Sequence, residues 1–252
     1  MSIAALFDGW EETMIWSCLQ GHMGSLTAAG QEPECAARIT VGDFSFFAGT
    51  ANESLVRTAV SPILVPRTPD WSRMIEAVWG ERVFRAYRYA TQKNTDGFSR
   101  NHLEALVRAI PEGYEIKRID RSLYDELLQH DWSRDLCSQF LSAEDYLSRG
   151  IGFAVLDRGS AVAGASSYTI YTGGIEIEID TDAAHRRQGL AAGCGARLIL
   201  ECLDRGIYPS WDAHDLRSLA LAEKLGYRRG SPYPVYIVNG SALTVQDAEP
   251  SS

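Results

Sequence analysis

The stretch from Ile175 to Ala192 constrains the fold more than any other part of the chain. It runs Ile175-Glu176-Ile177-Glu178-Ile179-Asp180-Thr181, then Asp182-Ala183-Ala184-His185, then Arg186-Arg187-Gln188-Gly189-Leu190-Ala191-Ala192. Alternation with a period of two marks a strand, sending Ile175, Ile177 and Ile179 to one face and Glu176, Glu178 and Asp180 to the other. Beyond Gly189 the apolar positions Leu190, Cys194, Leu198 and Cys202 follow helical spacing. Strand, loop and helix therefore follow one another directly. Gly189 and the small residues Ala191 and Ala192 let loop amides approach a ligand closely, and a helix N-terminus adds partial positive charge. Such a turn suits a pyrophosphate, with Arg186 and Arg187 as cations for its oxygens. No Gly-Lys-Ser/Thr follows, and Gly193-Cys194-Gly195 lies inside the helix rather than before it, so neither a Walker loop nor a dinucleotide fingerprint fits. Gly193 and Gly195 predict close approach of backbone or ligand to that helix.

The rest of the chain divides in two. Leu6, Trp10, Met14, Cys18 and Leu19 predict one amphipathic helix, and residues 36–49 predict a hairpin turning at Gly42-Asp43. A short strand over 62–66, a helix over 71–79 capped by Asp70 and stopped by Gly80, and a helix over 101–110 follow. The Pro111-Glu112-Gly113 turn marks the expected boundary. The reading is a smaller α/β N-terminal domain over 1–112, shaping the substrate site or dimerising, and a second domain over 113–241. In the second, strands at 114–119, 152–157, 161–171, 175–181, 208–213 and 235–238 and helices at 123–129, 143–149, 189–205 and 216–225 predict a mixed central sheet with helices on both faces. The Asp-, Glu-, Pro- and Ser-rich tail, 242–252, reads as disordered.

Composition excludes several classes. The 252 residues are 45% hydrophobic and 23% charged, which is ordinary for a globular protein. A net charge of -9 repels phosphate backbones and favours a cationic small molecule over nucleic acid. No run is long enough to span a bilayer, and the five dispersed cysteines predict reduced thiols, a cytoplasmic setting and no metal site. His185 and His214 lack triad-like companions, and Trp211, Cys194 and Cys202 read as core.

With these residues in place the chain resembles the GCN5-related N-acetyltransferase (GNAT) superfamily, whose coenzyme loop Arg/Gln-x-x-Gly-x-Gly/Ala corresponds to Arg186, Gly189 and Ala191. It is similar, in particular, to the bacterial subgroup that includes the zwittermicin A resistance acetyltransferase. The segments 175–181, 186–191, 208–215 (Tyr-Pro-Ser-Trp-Asp-Ala-His-Asp) and 221–227 (Leu-Ala-Glu-Lys-Leu-Gly-Tyr), with 41–49 and 88–90 nearer the N-terminus, carry the likeness. The resemblance implies a GNAT fold and transfer of an acetyl group from acetyl-CoA to a primary amine, of a small molecule, by direct attack. Antibiotic resistance is among the roles it implies. It further implies that Ile179, Asp180 and Thr181 meet the pantetheine arm, and that Arg186, Arg187, Gln188, Gly189, Leu190, Ala191 and Ala192 hold the pyrophosphate. Asp215 and Ser218 complete the coenzyme set. An alkylammonium, with a reference pKa of about 10.4, must lose a proton before attacking, and Glu176 and Glu178 are the candidate bases. The family's frequent general-acid tyrosine is replaced by Ala222, and its common asparagine by Asp215. A protein-amine acceptor and a non-catalytic acyl-CoA sensor are the competing functions, and a homodimer is compatible with either.

Overall fold

In the computed structural model, which describes residues 2–31 and 35–239, the chain forms two compact units, 2–89 with 231–239, and 90–230. The expected tail at 242–252 lies outside the described residues, and the Pro111–Gly113 turn lies inside the second unit.

The first unit begins with a 3-10 turn, Ile3–Phe7, followed by α1 (Thr13–Leu19). The single helix expected here is thus broken. Gly9 takes φ +72°, and the Glu12 carboxylate accepts from the Met14 amide, starting a new helix at Thr13. Then come β1 (Ser25–Ala29), β2 (Ala36–Val41), β3 (Phe44–Gly49), α2 (Glu53–Arg57), β4 (Ile63–Pro66), α3 (Pro69–Trp79) and β5 (Val83–Thr91). β2 and β3 form the hairpin at Gly42-Asp43 that the sequence predicts. β1, α2 and β5 carried no clear periodic signal. α3 starts two residues ahead of the expected position because Pro69 suits a first helical turn, and Thr68 rather than Asp70 is its N-cap.

In the second unit the elements are α4 (Arg100–Arg108), β6 (Tyr114–Arg118), α5 (Arg121–Leu127), α6 (Ala143–Arg149), β7 (Gly152–Asp157), β8 (Ser160–Tyr171), β9 (Gly174–Thr181), α7 (Leu190–Asp204), β10 (Tyr208–Ser210), β11 (Asp212–Ala213) and α8 (Leu216–Leu225). β12 (Arg229–Val238) closes the described chain. Its later residues return to the first unit, where Tyr236 and Ile237 pair antiparallel with Leu64 and Ile63. The expected strand at 235–238 exists, but it completes the first sheet, in the order β1-β2-β3-β4-β12-β5. Phe47, Leu64, Trp71, Ile75 and Tyr236 form a buried cluster there, and the Trp71 indole donates to the Gly49 carbonyl at 3.0 Å.

The second unit holds a five-stranded sheet ordered β10-β9-β8-β7-β6, antiparallel except that β10 runs parallel to β9. α7 packs against it through the fully buried Cys194, Leu198 and Cys202. Gly193 explains itself by close approach: an added Cβ there would lie 2.5 Å from Ile110 Cγ1, because α4 rests on α7 at this point. The helix over 100–108 therefore belongs with the second unit rather than with a domain ending at 112.

Candidate active site

β9 and β10 pair over three positions only, Tyr208 with Gly174, Pro209 with Ile175, and Ser210 with Glu176. The strand expected over 208–213 then breaks at Trp211, and β11 does not continue the ladder. Among the described residues no strand pairs with β9 on this side beyond Glu176, so one edge of Ile177–Thr181 is open. A half-paired strand leaves backbone donors and acceptors available to an extended ligand. The opposite edge is occupied by β8, with Ser166 opposite Glu178 and Ala165 opposite Ile179, after a bulge between Ser167 and Thr169.

The alternation read from the sequence holds. Ile175 and Ile177 are buried, and Ile179 reaches α7, its Cδ1 lying 2.8 Å from where a Cβ on Gly195 would stand. The carboxylates on the other face are not equivalent. Glu176 is 4% exposed, whereas Glu178 and Asp180 are half-buried. Glu176 lies close enough to Tyr208 and Tyr227 for its charge to help raise both phenols, although burial is the larger cause; Tyr208 is pushed up to about 12. Burial likewise raises the Asp180 carboxyl, against the pull of the Thr181 amide and Arg186.

The loop after β9 is held from behind. The Tyr114 hydroxyl, on β6, donates to the Gln188 side chain at 2.9 Å and lies 3.1 Å from His185 Nδ1. His185 thus helps anchor the loop. Arg186 points back to the strand, its Nε donating to the Thr181 carbonyl at 3.1 Å, with Asp180 3.9 Å from its guanidinium. Asp180 also accepts from the Thr181 amide at 2.6 Å, so both backbone groups of Thr181 are engaged within the chain. The Thr181 hydroxyl, by contrast, is buried with no hydrogen-bond partner among the described residues. Arg187 and Gly189 take φ of +62° and +83°. For Arg187 this is a strained conformation, held by the loop around it. At Gly189 an added Cβ would meet nothing, so its role is conformational, and as N-cap of α7 it supplies no side-chain acceptor. The first-turn amides of Leu190, Ala191 and Ala192 therefore emerge uncapped, next to exposed arginines.

Asp215 caps α8, accepting from the Ser218 amide at 2.7 Å and, through its second oxygen, from Arg217 at 2.8 and 3.0 Å. Burial opposes its ionisation, but the Ser218 amide, Arg217 and His214 outweigh that effect and hold the carboxyl below its ordinary value. The negative charge expected from Asp215 is thereby matched locally. The Ser218 hydroxyl accepts from the Trp211 indole at 3.2 Å, which ties it to the strand break. Ala222 is buried. Tyr227, five residues on, donates its hydroxyl to the Pro209 carbonyl at 2.6 Å, an arrangement no motif signalled. Burial lifts the Cys137, Cys194 and Cys202 thiols to about 12, so none is a poised nucleophile. Among the described residues no group of His, Cys, Asp and Glu could hold a metal ion, and no helix is long and apolar enough to cross a membrane.

The geometry offers an open strand edge, an uncapped helix N-terminus, a buried hydroxyl lacking a partner among the described residues and three carboxylates on one strand face. Known proteins share the fold. A GCN5-related N-acetyltransferase-like protein from Streptococcus suis 89/1591 superimposes with a TM-score of 0.90 at 46% identity, over 94% of this chain and 97% of that one. A GCN5-related N-acetyltransferase from Kribbella flavida shares the fold alone, at 16% identity and a TM-score of 0.55 over 87% of this chain and 91% of that one. The Bacillus subtilis (strain 168) protein described as uncharacterized N-acetyltransferase YdfB is 26% identical over 199 residues, 77% of this chain and 72% of its own. The family model for GNAT acetyltransferase matches residues 4–236, across both units, and the chain belongs to that family of acyl-CoA-dependent acetyltransferases.

Proposed function

We propose that this N-acetyltransferase moves the acetyl group of acetyl-CoA to the primary amine of a small molecule by direct attack. The observation that supports this reading best is the parting of β9 from β10 at Glu176 and Ser210, directly before the uncapped start of α7. The bound thioester would supply an activated carbonyl. Backbone groups of Ile179 and Asp180 would meet the pantetheine arm, with the Thr181 hydroxyl as a further partner. Amides from Arg187 to Ala192 would hold the pyrophosphate, and Arg186 and Arg187 would balance its charge. Tyr114, through Gln188 and His185, keeps that loop in place.

Glu178 lies one alternate position beyond the last β10 pair and is half-buried, so we assign it the proton taken from the attacking nitrogen. Glu176, buried beside the tyrosines, adds negative potential that favours a cationic acceptor. The Ile179 amide would donate to the oxyanion that develops on the carbonyl oxygen. A thiol of reference pKa about 8.5 leaves as thiolate without a strong acid, so the absence of a tyrosine at Ala222 does not prevent turnover. The resistance role of the resembled subgroup, a cytoplasmic setting, and a substrate-shaping or dimerising role for the first unit belong to the same proposal. Calorimetric titration with acetyl-CoA, paired with thiol release against a panel of amines, tests it. Binding lost in an Arg186→Ala/Gly189→Glu variant, together with amine-dependent thiol release, is the expected result. A wild-type protein that binds no acetyl-CoA would refute the reading.

A further inference from the structure

The first unit contains a cavity of about 530 Å³ lined entirely by its own residues, among them Trp10, Arg67, Glu76, Arg85, Tyr233 and Tyr236. Its volume is that of a small-molecule site. Its charge is unusual for so acidic a chain, because three arginines, Arg67, Arg73 and Arg85, line it with the single carboxylate Glu76. Arg73 is paired with Asp70. Arg67 is oriented but not neutralised: it donates to the Leu6 and Asp8 carbonyls and lies 5.6 Å from the Trp10 ring centre. Arg85 rests against Tyr87, its Cζ 5.4 Å from the ring centre, and among the described residues it has no carboxylate within ion-pair distance. Thr68 and Pro69, at the N-terminus of α3, line the same cavity, and Thr68 makes no capping bond. Positive charge and helix dipole therefore converge on a concave site, where low-dielectric walls focus the field. Trp10 and Tyr233 supply flat apolar surface, and Glu76, which accepts from the Tyr236 hydroxyl, supplies one fixed polar contact.

We propose that this cavity is a ligand site for a small organic anion, a carboxylate or phosphate joined to a planar apolar group, with Arg67 and Arg85 holding the anion and Trp10 and Tyr233 the ring. It does not rest on the acetyl-transfer reading, since no residue of the β9–α7 loop enters it. Phenyl phosphate and benzoate are suitable probes, with benzyl alcohol as the neutral control, titrated calorimetrically into the full-length protein. The expected result is saturable binding of an anion, weaker at high salt, and at least about tenfold weaker in Arg85→Glu, or about 1.4 kcal/mol. Arg85→Lys should recover part of the loss, because it restores charge without the planar fork. Arg85 is exposed, so the variants should fold; an unchanged melting temperature checks this. Displacement of phenyl phosphate by acetyl-CoA would identify a coenzyme phosphate as the natural anion, and no displacement would identify a separate metabolite. The proposal fails if wild-type protein binds neither anion, if benzyl alcohol binds as well as phenyl phosphate, or if Arg85→Glu binds like wild type.

Discussion

Two of the chain's strand–turn–helix passages make an instructive pair. In the first unit β4 runs into Arg67, Thr68 and α3; in the second, β9 runs into Arg186, Arg187, Gly189 and α7. Both turns carry arginine, and both helices start without a side-chain cap. They differ in the strand and at the helix start. β4 is flanked by β3 on one side and β12 on the other, and all four of its residues are buried. β9 loses its β10 neighbour after Glu176 and alternates isoleucine with carboxylate. A strand paired on both edges and covered on both faces has only apolar side chains to offer. A strand with one open edge can present backbone to a ligand and carboxylates to a reaction. At the helix start, Pro69 removes one amide donor and fixes φ, whereas Gly189 adopts a left-handed φ and leaves three successive amides without a side-chain cap. On the two proposals above, the first turn would grip an anion mainly through arginine and the second mainly through backbone.

The largest effect expected from this comparison is on chemistry. If the carboxylates of β9 make it the reactive strand, Glu176→Gln/Glu178→Gln should lower kcat by roughly a hundredfold to ten-thousandfold, with acetyl-CoA binding nearly unchanged. Transfer at the wild-type rate would remove the proposed distinction between the strands. The loop comes next. Gly189→Val forces a β-branched residue into the left-handed region at a cost of about 1–3 kcal/mol and should weaken acetyl-CoA about tenfold or more, whereas Gly189→Asn should stay within a few-fold of wild type. Equal weakening by both would show that space rather than backbone conformation matters, contrary to the open surroundings of Gly189.

A smaller change is expected from Tyr114→Phe, which deletes the hydroxyl bridging Gln188 and His185. At about 0.5–1.5 kcal/mol for one net hydrogen bond, acetyl-CoA affinity should fall a few-fold, read as a raised KM with little change in kcat. The smallest concerns Asp215. Its carboxyl is held below the ordinary aspartate value in the folded chain, so its contribution to stability is present above about pH 4 and fades as pH falls through the depressed value. Asp215→Asn keeps an N-cap acceptor but loses the Arg217 pair, and should cost about 0.5 kcal/mol at pH 7 with the difference closing below pH 4. A melting-temperature difference that does not shrink as the pH falls would place the effect in packing instead of charge.

Local pattern determined a good deal of this protein. The alternation over 175–181, the glycine before an apolar-striped helix and the hairpin turn at Gly42-Asp43 were legible because each depends on residues a few positions apart. The same pattern named Glu176 and Glu178 as a pair but could not separate them, since burial depends on where β10 stops and on Tyr208 and Tyr227, which lie some thirty to fifty residues later in the chain. It placed a strand at 235–238 yet assigned it to the second sheet; only pairing with β4, about 170 residues earlier, sends it to the first. It read Gly193 as a sign of close approach without naming Ile110 as the neighbour. The Tyr114 anchor behind the loop and the arginine-lined cavity of the first unit left no periodic trace, because residues far apart in the chain meet there only after the backbone has folded. Short-range steric preferences write themselves into sequence, whereas partnership across the chain is decided by packing, which no local window contains.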